Sequence, residues 1–319
     1  MAEKAEVHPD RLTLVAFFTV VLVLGMNFVA VKFSNKELPP FWGASLRFII
    51  ASILLFGILR IRRLSLPTGR ALMGAALFGL FGFAINFGLL YWALTVISAG
   101  MASVLLATIP LITMFLAFLV GLEKLSWRGI VGAVIVIAGI GLIFVEQLSV
   151  DVPMIYLGAA LLAAASAAAS GIVVKYFPRS HPISTNLVGM SLAAVVLLIL
   201  SLVLGETRGL PTLTSTWMAL GWLIFSSIVG FVLMVWVLSR WSASATSNIA
   251  VLTPLVAVVS ASLLAGETPT GIFLGGTALV LVGVYVGALS SPRSASKTPS
   301  AAGNGTQESA STEIEVPES

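Results

Sequence analysis

Residues 12–31, LTLVAFFTVVLVLGMNFVAV, run for a full membrane thickness without one charged side chain, and the pattern recurs along the chain. A helix rises about 1.5 Å per residue, so about 20 apolar residues cross a hydrocarbon layer of ~30 Å. Ten such runs are expected, near 12–33, 40–59, 71–93, 98–121, 128–145, 154–174, 183–204, 216–238, 245–265 and 270–289. Lipid has no water to satisfy backbone N–H and C=O groups, so only helices and closed barrels span it. Alternating strand patterns are absent, which leaves an all-α integral membrane fold. The charged fraction agrees, at 9% of the chain against about a quarter in soluble domains. The first run is too long for a signal-peptide core and lacks a cleavage site, so it counts as a helix. Residues 1–11 form an N-terminal tail, and the polar, small-residue stretch 290–319 reads as a disordered tail.

A second constraint is internal. Shifting the sequence by 144 residues lays TIPLITMFLAFLVGLE, residues 108–123, on LTPLVAVVSASLLAGE, residues 252–267. The register continues without a gap. Trp92 and Leu94 fall on Trp236 and Leu238, Ser103 on Ser247, Pro110 on Pro254, Glu123 on Glu267, and Gly132 and Gly139 on Gly276 and Gly283. A shared apolar bias matches leucines by chance, but it does not align prolines, glutamates and paired glycines together. The chain thus reads as a duplicated unit, 12–145 and 146–289. Each unit holds five helices, an odd number, so the second copy enters the membrane from the opposite side and the repeats are inverted.

Lys and Arg set the orientation. With the N-terminus inside, thirteen of the 17 basic residues lie on the cytoplasmic side. Only Lys32, Lys36 and Arg208 lie outside, and Arg47 lies within the membrane. The positive-inside rule therefore places both termini in the cytoplasm. The basic balance is a topology signal and calls for no nucleic-acid partner.

Pro110 and Pro254 sit where membrane helices are usually unbroken. Proline offers no N–H to the carbonyl four residues earlier, and from Pro110 to Glu123 is about 20 Å of helix, which puts the proline near the midplane. Paired midplane defects in inverted repeats suit the central site of an alternating-access carrier; the plainer reading is a packing kink.

The stretch GMNFVAVKFSNKELPPFWGASLRF, residues 25–48, resembles the G-S-N-F-x-x-x-K, Pro and L-R-F pattern of EamA-type members of the drug/metabolite transporter superfamily. Residues 98–142 resemble the second half of the same domain, and Ser242 to Val286 repeat it. The chain departs from the pattern with Leu24 where the family often has Trp and Met26 where it has Ser. The resemblance implies a ten-helix secondary transporter of the bacterial-type inner membrane, exporting amino acids or other small metabolites. Helices 1, 3, 4, 6, 8 and 9 would surround the cavity, with 5 and 10 behind. Gly132 and Gly139, two turns apart, share one face, and small faces let membrane helices approach closely.

Candidate substrate contacts are mostly neutral. Asn27 with its motif neighbour Phe28, Asn86, Thr108 beside Pro110, and Asn248 and Thr253 beside Pro254 can bond an amine, carboxylate or amide without carrying charge. Phe83, Phe87 and Tyr91 form one stripe of helix 3, for which ordinary packing is the alternative. Arg47, about 10 Å deep, suits a substrate carboxylate; backbone carbonyls, or snorkelling to the outer surface as for Lys32, is the favoured alternative, since Arg47 belongs to the L-R-F pattern.

Other classes fare worse. A proton-coupled pump for cationic drugs keeps a carboxylate at depth, and none of the 13 acidic residues falls in a helix centre. A membrane-embedded enzyme needs a metal cluster, a Ser/His dyad or paired carboxylates, and the two histidines lie in a tail and a loop. No phosphate-cradling motif or cysteine site implies a cofactor or metal. A non-transporting membrane protein is the remaining alternative.

Overall fold

A computed structural model describes residues 11–121, 126–148, 153–178, 180–230, 233–234, 237 and 249–289. Among the described residues seven helices are long and apolar enough to cross a membrane: α1 (Arg11–Ser34), α2 (Pro40–Ile61), α3 (Gly69–Ala93), α4 (Ala99–Leu119), α5 (Trp127–Leu148), α6 (Met154–Tyr176) and α7 (Pro182–Val203). Three shorter apolar helices follow: α8 (Thr214–Gly230), α9 (Ile249–Ala265) and α10 (Gly271–Gly287). No strand occurs among the described residues. Phe18, Ile53, Phe115, Ile137, Leu162 and Met218 are exposed, as expected where the surrounding solvent is lipid.

Apolar helices gain nothing by hiding from lipid tails, so close packing must hold them together. Glycine supplies it at three crossings. A Cβ on Gly132 would lie 2.5 Å from the carbonyl oxygen of Gly283, and one on Gly139 would lie 2.8 Å from that of Gly276. The contacts are reciprocal, and rising numbers in α5 meet falling numbers in α10, so the two helices run antiparallel. Gly79 of α3 meets Gly189 of α7, where a Cβ would stand 2.3 Å from the opposing Cα. Gly25 of α1 meets Val256 and the Thr253 carbonyl of α9, at 2.6 and 3.0 Å.

Three helices carry π-turns among the described residues: α10 at its C-terminal end, Tyr285–Leu289, α3 at Leu80–Ile85 and α8 at Ser226–Gly230. Such an insertion recurs at functional sites. The 144-residue shift carries 80–85 onto 224–229, so the turns of α3 and α8 overlap in the repeat register.

The prolines behave differently from one another. The helix breaks at Ala107–Thr108, with segments Ala99–Leu106 and Ile109–Leu119 on either side, so Pro110 falls in the first turn of the second segment. A missing N–H costs nothing there. Pro254 instead lies inside the continuous Ile249–Ala265 helix, buried next to the Thr253 carbonyl on which Gly25 packs. Paired midplane defects were expected; the first takes the form of a break in the helix and the second of a proline inside a continuous one.

Gly139→Val should force α5 and α10 apart and lower the melting temperature, since overpacking a tight contact costs about 1–3 kcal/mol. Gly141→Ala, where nothing lies within 4 Å, should leave it unchanged or raise it. Equal melting temperatures for the two variants in detergent would contradict the close contact.

Candidate functional site

Pro40 starts α2 at its first turn, where proline is tolerated, and the helix carries Arg47 about 10 Å inward. The side chain is 0% exposed. It does not snorkel, and no backbone carbonyl among the described residues receives it. Its Nε donates to Ser227 Oγ at 2.7 Å and its Nη2 to Ser226 Oγ at 3.4 Å. Both serine hydroxyls donate onward to the Leu223 carbonyl, at 2.8 and 2.9 Å, which leaves their oxygens free to accept. The π-turn of α8 is what presents two successive serines to one guanidinium. The rings of Phe87 and Phe48 flank it at 4.9 and 5.3 Å, a cation–π arrangement. Nη1 has no hydrogen-bond partner among the described residues. The expected snorkelling fails because the surrounding aromatic and serine side chains hold the head group in place.

Tyr91 stands one turn outward on the same face. A Cβ on Gly43, one turn before Arg47, would meet its ring at 3.7 Å, so the missing side chain there makes room for the phenol. Tyr91 is fully buried and its hydroxyl has no hydrogen-bond partner among the described residues. Phe83 is buried against Phe48, Phe78 and Phe87. Most of the aromatic stripe is therefore packing, and it encloses Arg47.

Two asparagines share this level. Asn27 lies seven residues before the end of α1, Asn86 seven before the end of α3, and Arg47 seven after the start of α2. All three sit about 10 Å from the same end of the bundle. Asn86 is 7% exposed, and the Oδ1 atoms of Asn27 and Asn86 are buried with no partner among the described residues. Unpaired buried polar atoms are costly; others include those of Ser34, Asn35, Ser52, Ser201, Trp222 and Thr277, and this level stands apart in setting a guanidinium at the same depth as two amide oxygens.

The other candidates fall elsewhere. Thr108 donates to Leu105 O at 2.6 Å and Thr253 to Ile249 O at 2.7 Å, so both hydroxyl protons are taken by their own helices. Phe28 packs in the core beside Asn27. Pro110 is half-buried and Pro254 buried. Asn248 lies outside the described residues. No hydrogen bond among those residues joins Asn27, Asn86, Thr108 or Thr253 to one another.

The end nearest this layer is closed by carboxylates on helix N-termini. Glu267, just past α9, accepts from Ala99 N at 2.8 Å, Gly100 N at 3.3 Å and Lys32 Nζ at 2.8 Å. One side chain thus ties α9 to α4 and α1. Glu206, after α7, accepts from Trp42 N at 2.8 Å and Phe41 N at 3.2 Å at the start of α2. Glu37, after α1, accepts from Thr212 N at 2.6 Å, Leu213 N at 3.1 Å and the Thr212 hydroxyl, just before α8. Each satisfies N–H groups that a helix start leaves orphaned, and the helix dipole favours the charge. These links and the serine pair were missed in the sequence. The signals were a Glu shortly after an apolar run and an SS pair inside one.

An apolar-surfaced helical bundle with a buried polar layer sealed at one end defines a multi-pass membrane protein. The chain belongs to the EamA-like transporter family, whose pattern matches residues 11–145 and again 154–288. It is 30% identical over 287 residues to the "Uncharacterized inner membrane transporter YedA" of Escherichia coli (strain K12), covering 85% of this chain and 91% of that one. A "Probable amino-acid metabolite efflux pump" of Salmonella typhimurium (strain LT2) is 30% identical over 286 residues, 84% and 91% of the two chains. A "Probable terminal-alkyne amino-acid exporter" of Streptantibioticus cattleyicolor is 30% identical over 252 residues, 75% and 81%. One solved structure, titled "Crystal structure of protein", shares the fold with a TM-score of 0.57 at 21% identity, over 87% of this chain and 97% of that one.

The Glu37 carboxyl is held at about 2, below its ordinary 4.5, first by the Thr212 hydroxyl; desolvation, the next largest effect, opposes this, and the Leu213 and Thr212 amides and the Thr216 hydroxyl add to the lowering. A depressed carboxyl pKa adds stability that is complete above the ordinary value and is lost as pH falls toward the folded one. Glu37→Gln should therefore flatten the fall in melting temperature between 4.5 and about 2. An unchanged acid limb would show that the carboxylate does not tie α1 to α8.

Proposed function

We propose that the chain is a secondary transporter of ten spans, arranged as inverted five-helix repeats over 12–145 and 146–289, that exports amino acids or related small metabolites by alternating access. Relatives named as an amino-acid metabolite efflux pump and an amino-acid exporter support the cargo class. The inversion is supported by the α5–α10 crossing. Gly132 meets Gly283, the repeat partner of Gly139, while Gly139 meets Gly276, the repeat partner of Gly132; such self-complementary pairing is what a two-fold relation produces. The overlapping π-turns of α3 and α8 fit the same relation.

The buried layer of Asn27, Arg47 and Asn86 is the observation that carries the transport reading. Asn27 Oδ1, Asn86 Oδ1 and Arg47 Nη1 have no hydrogen-bond partner among the described residues, as expected of a small-molecule site: an apolar pocket with a few convergent polar groups. Glu267, Glu206 and Glu37 close the face above it. In this reading that face is extracytoplasmic, both termini are cytoplasmic, and Pro110 and Pro254 loosen α4 and α9 where the two halves rock against each other. The fixed charge at depth is positive, which disfavours cationic drugs as cargo.

Counterflow in proteoliposomes tests this. Vesicles loaded with unlabelled L-leucine should take up labelled L-leucine transiently, and Asn27→Ala should cut that uptake several-fold with little change in melting temperature. Absence of counterflow for every proteinogenic amino acid would overturn the cargo class.

A further inference from the structure

We infer that the Arg47 guanidinium docks a carboxylate of the cargo, with the Tyr91 hydroxyl as its second donor. This deepens the transport reading and rests on it, since it names the charge and the functional group that the same site selects.

The first support is the charge inventory. Of the 13 acidic residues, Glu37, Glu206 and Glu267 stand at helix ends, Glu146 lies in the last turn of α5, and the rest fall outside the described residues. No carboxylate among the described residues lies at the depth of Arg47. Those at the nearer end, Glu37, Glu206 and Glu267, are engaged at helix N-termini. Among the described residues the charge is buried without a counter-charge, a condition that costs several kcal/mol unless an anion or enough acceptors relieve it.

The second support is the donor count. A guanidinium carries five N–H groups and no acceptor. Ser227 takes one of them well and Ser226 another at the long distance of 3.4 Å. Nη1, with two N–H groups, takes no partner among the described residues, and neither does the Tyr91 hydroxyl. A carboxylate is planar, has two acceptor oxygens, and fits the paired donors of a guanidinium edge better than any neutral group. Gly43 and Arg47 lie on one face of α2, and that face meets Tyr91 and Phe87, one turn apart on α3. The phenol is therefore stacked along the helix axis next to the guanidinium.

The third support is the pairing of opposite functions in one layer. The unpartnered atoms on Asn27 and Asn86 are acceptor oxygens, which suit an ammonium group, whereas Arg47 and Tyr91 offer donors. A zwitterion satisfies both sets. A cation satisfies only the first, and is repelled by the guanidinium.

The test uses purified full-length protein in lipid nanodiscs, with L-leucine, L-leucinamide and isocaproate as probes and ligand-induced melting shifts titrated to half-saturation. L-leucine and isocaproate should bind, and L-leucinamide, which lacks the carboxylate, should bind at least about tenfold more weakly, a typical loss for a charge-assisted hydrogen bond. Arg47→Gln should lower leucine affinity to that of leucinamide, and Arg47→Lys should restore part of it. If Arg47→Gln does not fold, the wild-type comparison of leucine with its amide decides the matter. Equal affinities for leucine and leucinamide, or a preference for leucine that survives Arg47→Gln, would overturn the docking role while leaving transport intact. Isocaproate binding without leucine binding would support the docking role and overturn amino acids as cargo. No response to any of the three would overturn both.

Discussion

In hydrocarbon no water takes up a stray hydrogen-bonding group, and the places where this chain leaves such groups open or closes them define its working parts. Most of the backbone is closed within helices. The orphaned N–H groups at three helix starts on one face are closed by Glu37, Glu206 and Glu267. Among the groups left open, the Asn27 and Asn86 oxygens and one edge of Arg47 lie about 10 Å below that face, with the Tyr91 hydroxyl one turn nearer to it. Closure above and unsatisfied atoms beneath describe a site shut off from one side.

The same constraint governs how the two halves meet. Since lipid does not drive helices together, close approach must come from small residues, and the α5–α10 contact uses four glycines in reciprocal pairs. That contact is a stiff back wall. The centre is looser: a broken α4, π-turns in α3 and α8, and a proline buried in α9 where Gly25 presses on it. Arg47 joins α2 of the first repeat to the π-turn of the second, so a ligand that captured the guanidinium would alter a link between the halves.

The helices, the duplicated register and the glycine seam were legible because each is carried by residue type and spacing along one segment. Asn27, Asn86 and Arg47 were legible for a related reason, as polar side chains are conspicuous in apolar runs. What they touch was not. Arg47 was expected to snorkel or meet carbonyls, because nothing in a linear reading places Ser226 and Ser227, some 180 residues away, beside it. The hydroxyls of Thr108 and Thr253 looked available and are used within their own helices, a choice made by rotamer and local backbone. Glu267 was read as a mark at the end of a span, and its role as a link between three helices depends wholly on tertiary placement.

The seal made by Glu267 offers the most direct check on alternating access. The chain has no cysteine, so Lys32→Cys combined with Glu267→Cys gives one thiol pair across the 2.8 Å ion pair. A short, cleavable bifunctional thiol reagent can bridge it. If the face must open in each cycle, leucine counterflow should be lost on bridging and regained on cleavage, while the single-cysteine variants treated alike keep their flux. Undiminished counterflow with the bridge in place would mean that cargo crosses without opening this face, which contradicts alternating access through it.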